Sequence, residues 1–170
     1  QKLGVGVNTI ALDAAREHGV AVCNMPGTNS QAVAEAALAL MLAVLRRTPC
    51  FDRLTKAGQG WAADAELIDS MGEISGRTVG LVGMGHSAQR LARALDALGA
   101  QVIYTARHPR HELPYAFATR QELLRRSDIV SLHLPLTDET RGMIDAAALR
   151  QMPAGAILIN TARGELVDED

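Results

Sequence analysis

The sequence predicts an α/β fold with a doubly wound parallel sheet, and three observations carry that prediction. From Arg77 onward, short β-branched runs alternate with Ala/Leu-rich segments of helical length, the pattern of strand–helix crossovers in a parallel sheet. Thr78-Val79-Gly80-Leu81-Val82 leads into Gly83-Met84-Gly85-His86-Ser87-Ala88, and an Ala/Leu-rich helix follows at once. A buried strand, a glycine turn and a helix start bring backbone N–H groups and a positive dipole end to one point, where a pyrophosphate can sit. This is the layout of a Rossmann-type unit, with Ala88 in the third small position. Finally, 170 residues of which 48% are hydrophobic can bury one sizeable core but hardly two.

Taken in order, Leu3 to Val7 is expected as a short strand closing in Gly4-Val5-Gly6, and Ala11 to Glu17 as a helix stopped by His18-Gly19. Val20 to Asn24 reads as a second strand, and Met25 to Ser30 as a loop whose Asn29 or Ser30 can cap the next helix. That helix runs to about Arg47. Its alanines and leucines recur almost all round, so deep burial is expected. Pro49 to Ser75 is mixed and polar, a helix and then a connecting loop. After the glycine turn come a helix from Ser87 to Leu98, ended by Gly99, and the strand Gln101 to Thr105. Further expected elements are a helix over Arg120 to Arg126, a strand over Asp128 to His133, a helix from about Asp145 to Met152 and the strand Ala156 to Asn160.

The tip of the second nucleotide-side strand bears on cofactor choice. An NAD-type unit places an acidic residue there for the adenosine ribose. Here stand Ala106 and Arg107, then His108, Pro109 and Arg110. No carboxylate is present to repel a 2′-phosphate, and Arg107 can bind one bidentately. The expected cofactor is NADP, with NAD as the alternative.

The net charge of -2, the scattered cations and the 3% aromatic content argue against nucleic acid or an anionic membrane as partner. Cys23 and Cys50 are too few and too far apart for a disulfide framework or a metal knuckle, so no metal is expected. The longest apolar stretch, Ala36 to Leu45, is too short to span a bilayer. No signal peptide is visible, and a cytoplasmic location is expected. The chain reads as a segment of a longer protein.

Five blocks together carry a resemblance. They are Gly4-Val5-Gly6-Val7 with Leu12-Asp13-Ala14-Ala15, Asn24-Met25-Pro26-Gly27-Thr28-Asn29-Ser30 running into Ala32-Val33-Ala34-Glu35, and the Gly83-Met84-Gly85 loop. Ser127-Asp128-Ile129-Val130-Ser131-Leu132-His133-Leu134-Pro135-Leu136-Thr137 and Ile159-Asn160-Thr161-Ala162-Arg163-Gly164 complete the set. In this order and spacing the chain resembles the D-isomer-specific 2-hydroxyacid dehydrogenases over essentially its whole length. The resemblance implies an incomplete Rossmann-type sheet with a remnant of a second, substrate domain. Residues 1–27 would end the first half of that domain, and residues 28–170 would form the nucleotide-binding domain, truncated at its C-terminal end.

The resemblance also implies roles. Arg163 would hold the substrate carboxylate and polarise the 2-keto group. Val5 and Gly6 would offer backbone N–H groups to the same carboxylate. Gly83, Gly85, His86 and Ser87 would line the pyrophosphate, and Pro135, Thr140 and Thr161 the adenosine and nicotinamide ends. Turn formation is the ordinary use of Thr137 and Thr140.

Where many members read Asp-Asn-Ile-Asp after the first glycine turn, this chain has Asn8-Thr9-Ile10-Ala11. Ala106 stands where many carry the ribose-binding Asp, as in the NADP-using glyoxylate, hydroxypyruvate and 2-ketogluconate reductases of the family. The family's acid/base His and its Glu partner would lie beyond residue 170. None of His18, His86, His108, His111 or His133 stands in that position.

The expected function is hydride transfer between NADP(H) and a small 2-keto or 2-hydroxy acid, in a homodimer joined through the long helix after Ser30. Alternatives are a dinucleotide-binding, corepressor-like interaction module and an inactive fragment.

Overall fold

The computed structural model describes residues 1–61 and 63–170. Its centre is a five-stranded sheet of β1 (Thr78–Val82), β2 (Gln101–Thr105), β3 (Ala116–Phe117), β4 (Ile129–Leu132) and β5 (Ile157–Asn160). Every pairing is parallel, and the order is β3-β2-β1-β4-β5. The chain therefore builds outward from β1 through β2 to β3, then restarts on the other side of β1. That reversal opens a crevice at the carboxyl ends of β1 and β4, where folds of this type bind ligands.

Helices cover both faces. On one lie α2 (Ser30–Leu45) and α5 (His86–Ala97), whose Met41, Leu91 and Leu95 join Val79, Leu81, Tyr104 and Ile129 in one core cluster. On the other lie α6 (Arg120–Arg126) and α7 (Ala146–Leu149), where Leu123, Leu124 and Ala148 join Val82, Ile103, Val130 and Leu132. The strand residues divide by parity between the two clusters, because successive side chains point to opposite faces. At Gly80 a Cβ would collide with Ser127 and Leu123, so α6 approaches β1 closely only because position 80 is glycine.

Three expectations need correction. Neither Leu3 to Val7 nor Val20 to Asn24 forms a strand. The only backbone–backbone bonds between the two stretches are those from Lys2 N–H to the Cys23 carbonyl (2.8 Å) and from Met25 N–H to the Gly4 carbonyl (2.9 Å). With no further neighbour to extend a ladder, Leu3, Val5 and Val20 stay exposed. The long helix is not buried all round. Ser30, Ala34, Ala37, Met41 and Leu45 form its buried stripe, whereas Leu40, Leu42 and Val44 are exposed. It also ends at Leu45, before the left-handed Arg47 (φ 52°) starts α3 (Thr48–Lys56).

Three smaller elements were not expected: α4 (Ala65–Asp69), β3 and a 3-10 turn at Gly164–Leu166. The helix α1 (Leu12–Glu17) matches its expected span and buries no residue.

Candidate active site

The glycine turn after β1 is shaped by two constraints. Gly83 has φ +94°, and a Cβ there would run into the carbonyl of His133. Only glycine satisfies both. At Gly85, in contrast, a Cβ would meet nothing within 4 Å. Gly85 is the N-cap of α5, and no side chain caps that helix. Its first N–H groups are thus left free at the crevice.

Two cavities adjoin at this turn. One, of about 830 Å³, is lined by Val5, Gly6, Asn8, His86, Ser87, Thr161 and Arg163 among others. The second, of about 740 Å³, is lined by Gly83, Met84, Arg107, Arg110, Arg120 and Thr140 among others. Gly85, His133, Leu134 and Pro135 belong to both walls. The structure therefore gathers Val5, Gly6, His86, Ser87, Thr161 and Arg163 on one side, and Gly83, Arg107 and Thr140 on the other, with Gly85 and Pro135 between them.

Arg163 owes its position to a local brace. The Asn160 side chain donates to the Arg163 carbonyl (2.7 Å) and accepts from Ala162 N–H (3.0 Å), which folds residues 160–163 into a tight turn past β5. The half-buried guanidinium donates from Nη1 to the Ala162 carbonyl (2.7 Å) and from Nε to Asn8 Oδ1 (3.4 Å). It lies so close to Gly6 that any Cβ there would collide with it. Val5 is held by the Asn24 side-chain amide, which donates to its carbonyl at 2.8 Å.

His133 sits under the shared wall. Its Nδ1 is 3.3 Å from Ser87 Oγ and its Nε2 2.9 Å from Ser131 Oγ. Burial depresses its pKa to about 4, so the ring is neutral at physiological pH. A neutral ring with both nitrogens engaged braces Ser87 and Ser131. The hydroxyl of Thr140 donates to the Pro135 carbonyl (2.8 Å) and accepts from Thr137 N–H (2.8 Å). That turn-forming role is the one such a threonine ordinarily plays.

The walls fit a dinucleotide. Thr161 Oγ1 is buried with no hydrogen-bond partner, and an orphaned hydroxyl beside a cavity calls for a ligand or water. The open space above Gly85 lies where the two cavities meet, beside the uncapped start of α5. A phosphate there would complete the helix.

Asn8, Arg110 and Arg120 also line the cavities, although sequence reasoning assigned them no role. Asn8 had a signal, since it opens the segment that departs from the resembling pattern. Arg120 had none, because its place depends on the two-residue strand β3.

Residues 38–170 match the family described as "D-isomer specific 2-hydroxyacid dehydrogenase, NAD binding domain". The chain is 38% identical to a glyoxylate reductase of Aeropyrum pernix, over 98% of this chain and 52% of that protein. It is 40% identical to a D-3-phosphoglycerate dehydrogenase of Mycobacterium tuberculosis, over 99% of this chain and 32% of that protein. A Thermus thermophilus protein of known structure superposes with a TM-score of 0.90 at 44% identity, over 98% of this chain and 54% of that one. The chain thus spans about half, or less, of the relatives it matches. Sheet order, glycine turn and these matches agree: the chain belongs to the D-isomer-specific 2-hydroxyacid dehydrogenases.

Proposed function

We propose that the protein containing this chain reduces a small 2-keto acid of the glyoxylate or hydroxypyruvate kind with NADPH. The reaction consumes one 2-keto acid, one NADPH and one proton, and yields the 2-hydroxy acid and NADP. The observation that carries the reading is the Arg163 guanidinium, bonded to Asn8, carried on a turn that Asn160 braces, and held over Gly6 in the wall of the dinucleotide crevice.

When bound, the nicotinamide cofactor supplies the hydride. Arg163 would grip the substrate carboxylate with a forked pair of N–H bonds and polarise the 2-keto oxygen. Backbone N–H groups at Val5 and Gly6 would take the other carboxylate oxygen. Asn8 limits the guanidinium's freedom, so less order is lost when substrate arrives. His86 and Ser87 would flank the pyrophosphate, with Ser87 fixed by His133. Thr161 would find its missing partner on the nicotinamide side. By the resemblance the acid/base histidine would lie beyond residue 170, and this chain alone should then not turn over efficiently.

NADPH rather than NADH is supported by Arg107, exposed in the second cavity with no ribose-binding carboxylate in place. A homodimer is supported by the exposed Leu40, Leu42 and Val44 on α2. A cytoplasmic location is supported by Cys23 and Cys50, both free.

The test is a titration of the chain with NADPH and, separately, NADH. Trp61 is fully exposed and outside both cavities, so nicotinamide emission is the readout. Wild type should bind NADPH more tightly, and Arg107→Asp should reverse that preference by about tenfold or more, as loss of a phosphate fork plus a new repulsion requires. Equal NADPH affinity in the two proteins removes the role of Arg107.

A further inference from the structure

We propose that Arg120 is a second specificity-determining residue for the dinucleotide: with Arg107 it forms a two-guanidinium clamp on the 2′-phosphate, at neighbouring strand ends. The inference rests on the NADP reading above.

The register of β2 and β3 carries the argument. Tyr104 pairs with Phe117 in parallel, and Ala118 N–H donates to the Tyr104 carbonyl at 2.8 Å. Three residues further along each segment stand Arg107 and Arg120. Each follows the carboxyl end of its strand, and the two strands are neighbours about 4.8 Å apart, so both arginines start from the same edge of the sheet. Both line the 740 Å³ cavity, and both are exposed.

The third arginine in that wall is differently placed. Arg110 is committed: its Nη1 donates to the Met84 carbonyl (3.1 Å) and its Nε to Glu112 (2.8 Å). Its backbone is pinned by the buried Tyr104 hydroxyl, which accepts from Arg110 N–H at 2.7 Å. Arg110 thus ties the loop after β2 to the glycine turn. Arg120 makes no ion pair or side-chain hydrogen bond among the described residues.

Its nearest carboxylate in sequence, Glu122, is occupied by the helix cap, accepting from Thr119 N–H (2.9 Å) and Thr119 Oγ1 (2.7 Å). Glu139 is the one carboxylate among the residues lining this cavity. It belongs to the loop after β4, beyond Pro135.

Arg120 is also the first residue of α6, where a cation opposes the helix dipole. An arginine set against its helix, with its fork unused and a second fork one strand away, suits a ligand with several anionic oxygens. A phosphomonoester is such a ligand; the ribose 2′-hydroxyl of NADH is not.

The experiment is a pair of titrations, NADPH and NADH, on wild type, Arg120→Gln and Arg120→Lys, with adenosine 2′-monophosphate as a displacing probe. Arg120→Gln should weaken NADPH by about tenfold, the worth of one charge-assisted bond pair, and leave NADH within about twofold. The lysine variant should restore part of the loss, and adenosine 2′-monophosphate should weaken in step with NADPH. Circular dichroism should match wild type, since glutamine is a good helix former at an exposed position.

Unchanged NADPH affinity in Arg120→Gln, or equal weakening of NADPH and NADH, overturns the clamp. Should wild type favour NADH, the clamp and the NADP reading fall together. If Arg107→Asp reverses the preference while Arg120→Gln is silent, only the clamp falls.

Discussion

His133 is held by two serines on its ring nitrogens and by a backbone so close to Gly83 that no side chain fits there. Its pKa of about 4 also makes a statement about stability. The unfolded chain binds a proton near the ordinary histidine value of about 6.5, while the folded chain refuses it until about pH 4. Above the unfolded value both states are neutral and stability is at its full level. As pH falls from 6.5 toward 4, only the unfolded state gains the proton, and on the order of 3 kcal/mol is lost. Denaturant melts between pH 7 and 4 should show that decline, and His133→Asn should flatten it from a lower starting stability. A wild-type curve as flat as the variant's contradicts the burial argument.

At the scale of elements, α6 tests how the Arg107 and Arg120 side of the crevice is supported. Thr119 and Glu122 form a reciprocal capping box, and the carboxyl of Glu122 is held below its usual pKa by its bonds to the Thr119 side chain and backbone. Thr119→Ala should cost about 1 kcal/mol in denaturant melts. It should also weaken NADPH more than NADH, because the cap fixes where Arg120 begins.

The same elements show what was legible in the sequence. The β1–turn–α5 unit was readable, because Gly83 is a local necessity and the buried run before it and the helix start after it are local patterns. The turn from Asn160 to Arg163 was readable for the same reason. Strand β3 was not: two exposed residues have no periodicity, and only pairing with β2 makes them a strand. The expected strands at Leu3 and Val20 failed in the opposite way, with suitable composition but no further neighbour to extend the bonds they share. On α2 an Ala/Leu composition concealed which face is buried, because the helix carries apolar residues on both.

For the whole molecule, the exposed side of α2 is the surface to test. Leu40 and Val44 lie one turn apart on it. If two copies pair there, sedimentation of the chain should show a dimer, and Leu40→Glu with Val44→Glu should return it to a monomer without loss of helix. A wild-type monomer at every accessible concentration sinks the homodimer proposal. Among the described residues no helix is long and apolar enough to cross a membrane.

The bond between Arg163 and Asn8 joins residues 155 positions apart. Closing a loop of that length from a free coil costs on the order of 4–5 kcal/mol of chain entropy. One long, exposed hydrogen bond returns about 1 kcal/mol or less. The Arg163–Asn8 corner cannot assemble itself. It must be handed over by a sheet and helix layer that have already brought both ends of the chain together. It should therefore be the last part of the molecule to form during folding and the first to loosen during thermal fluctuation.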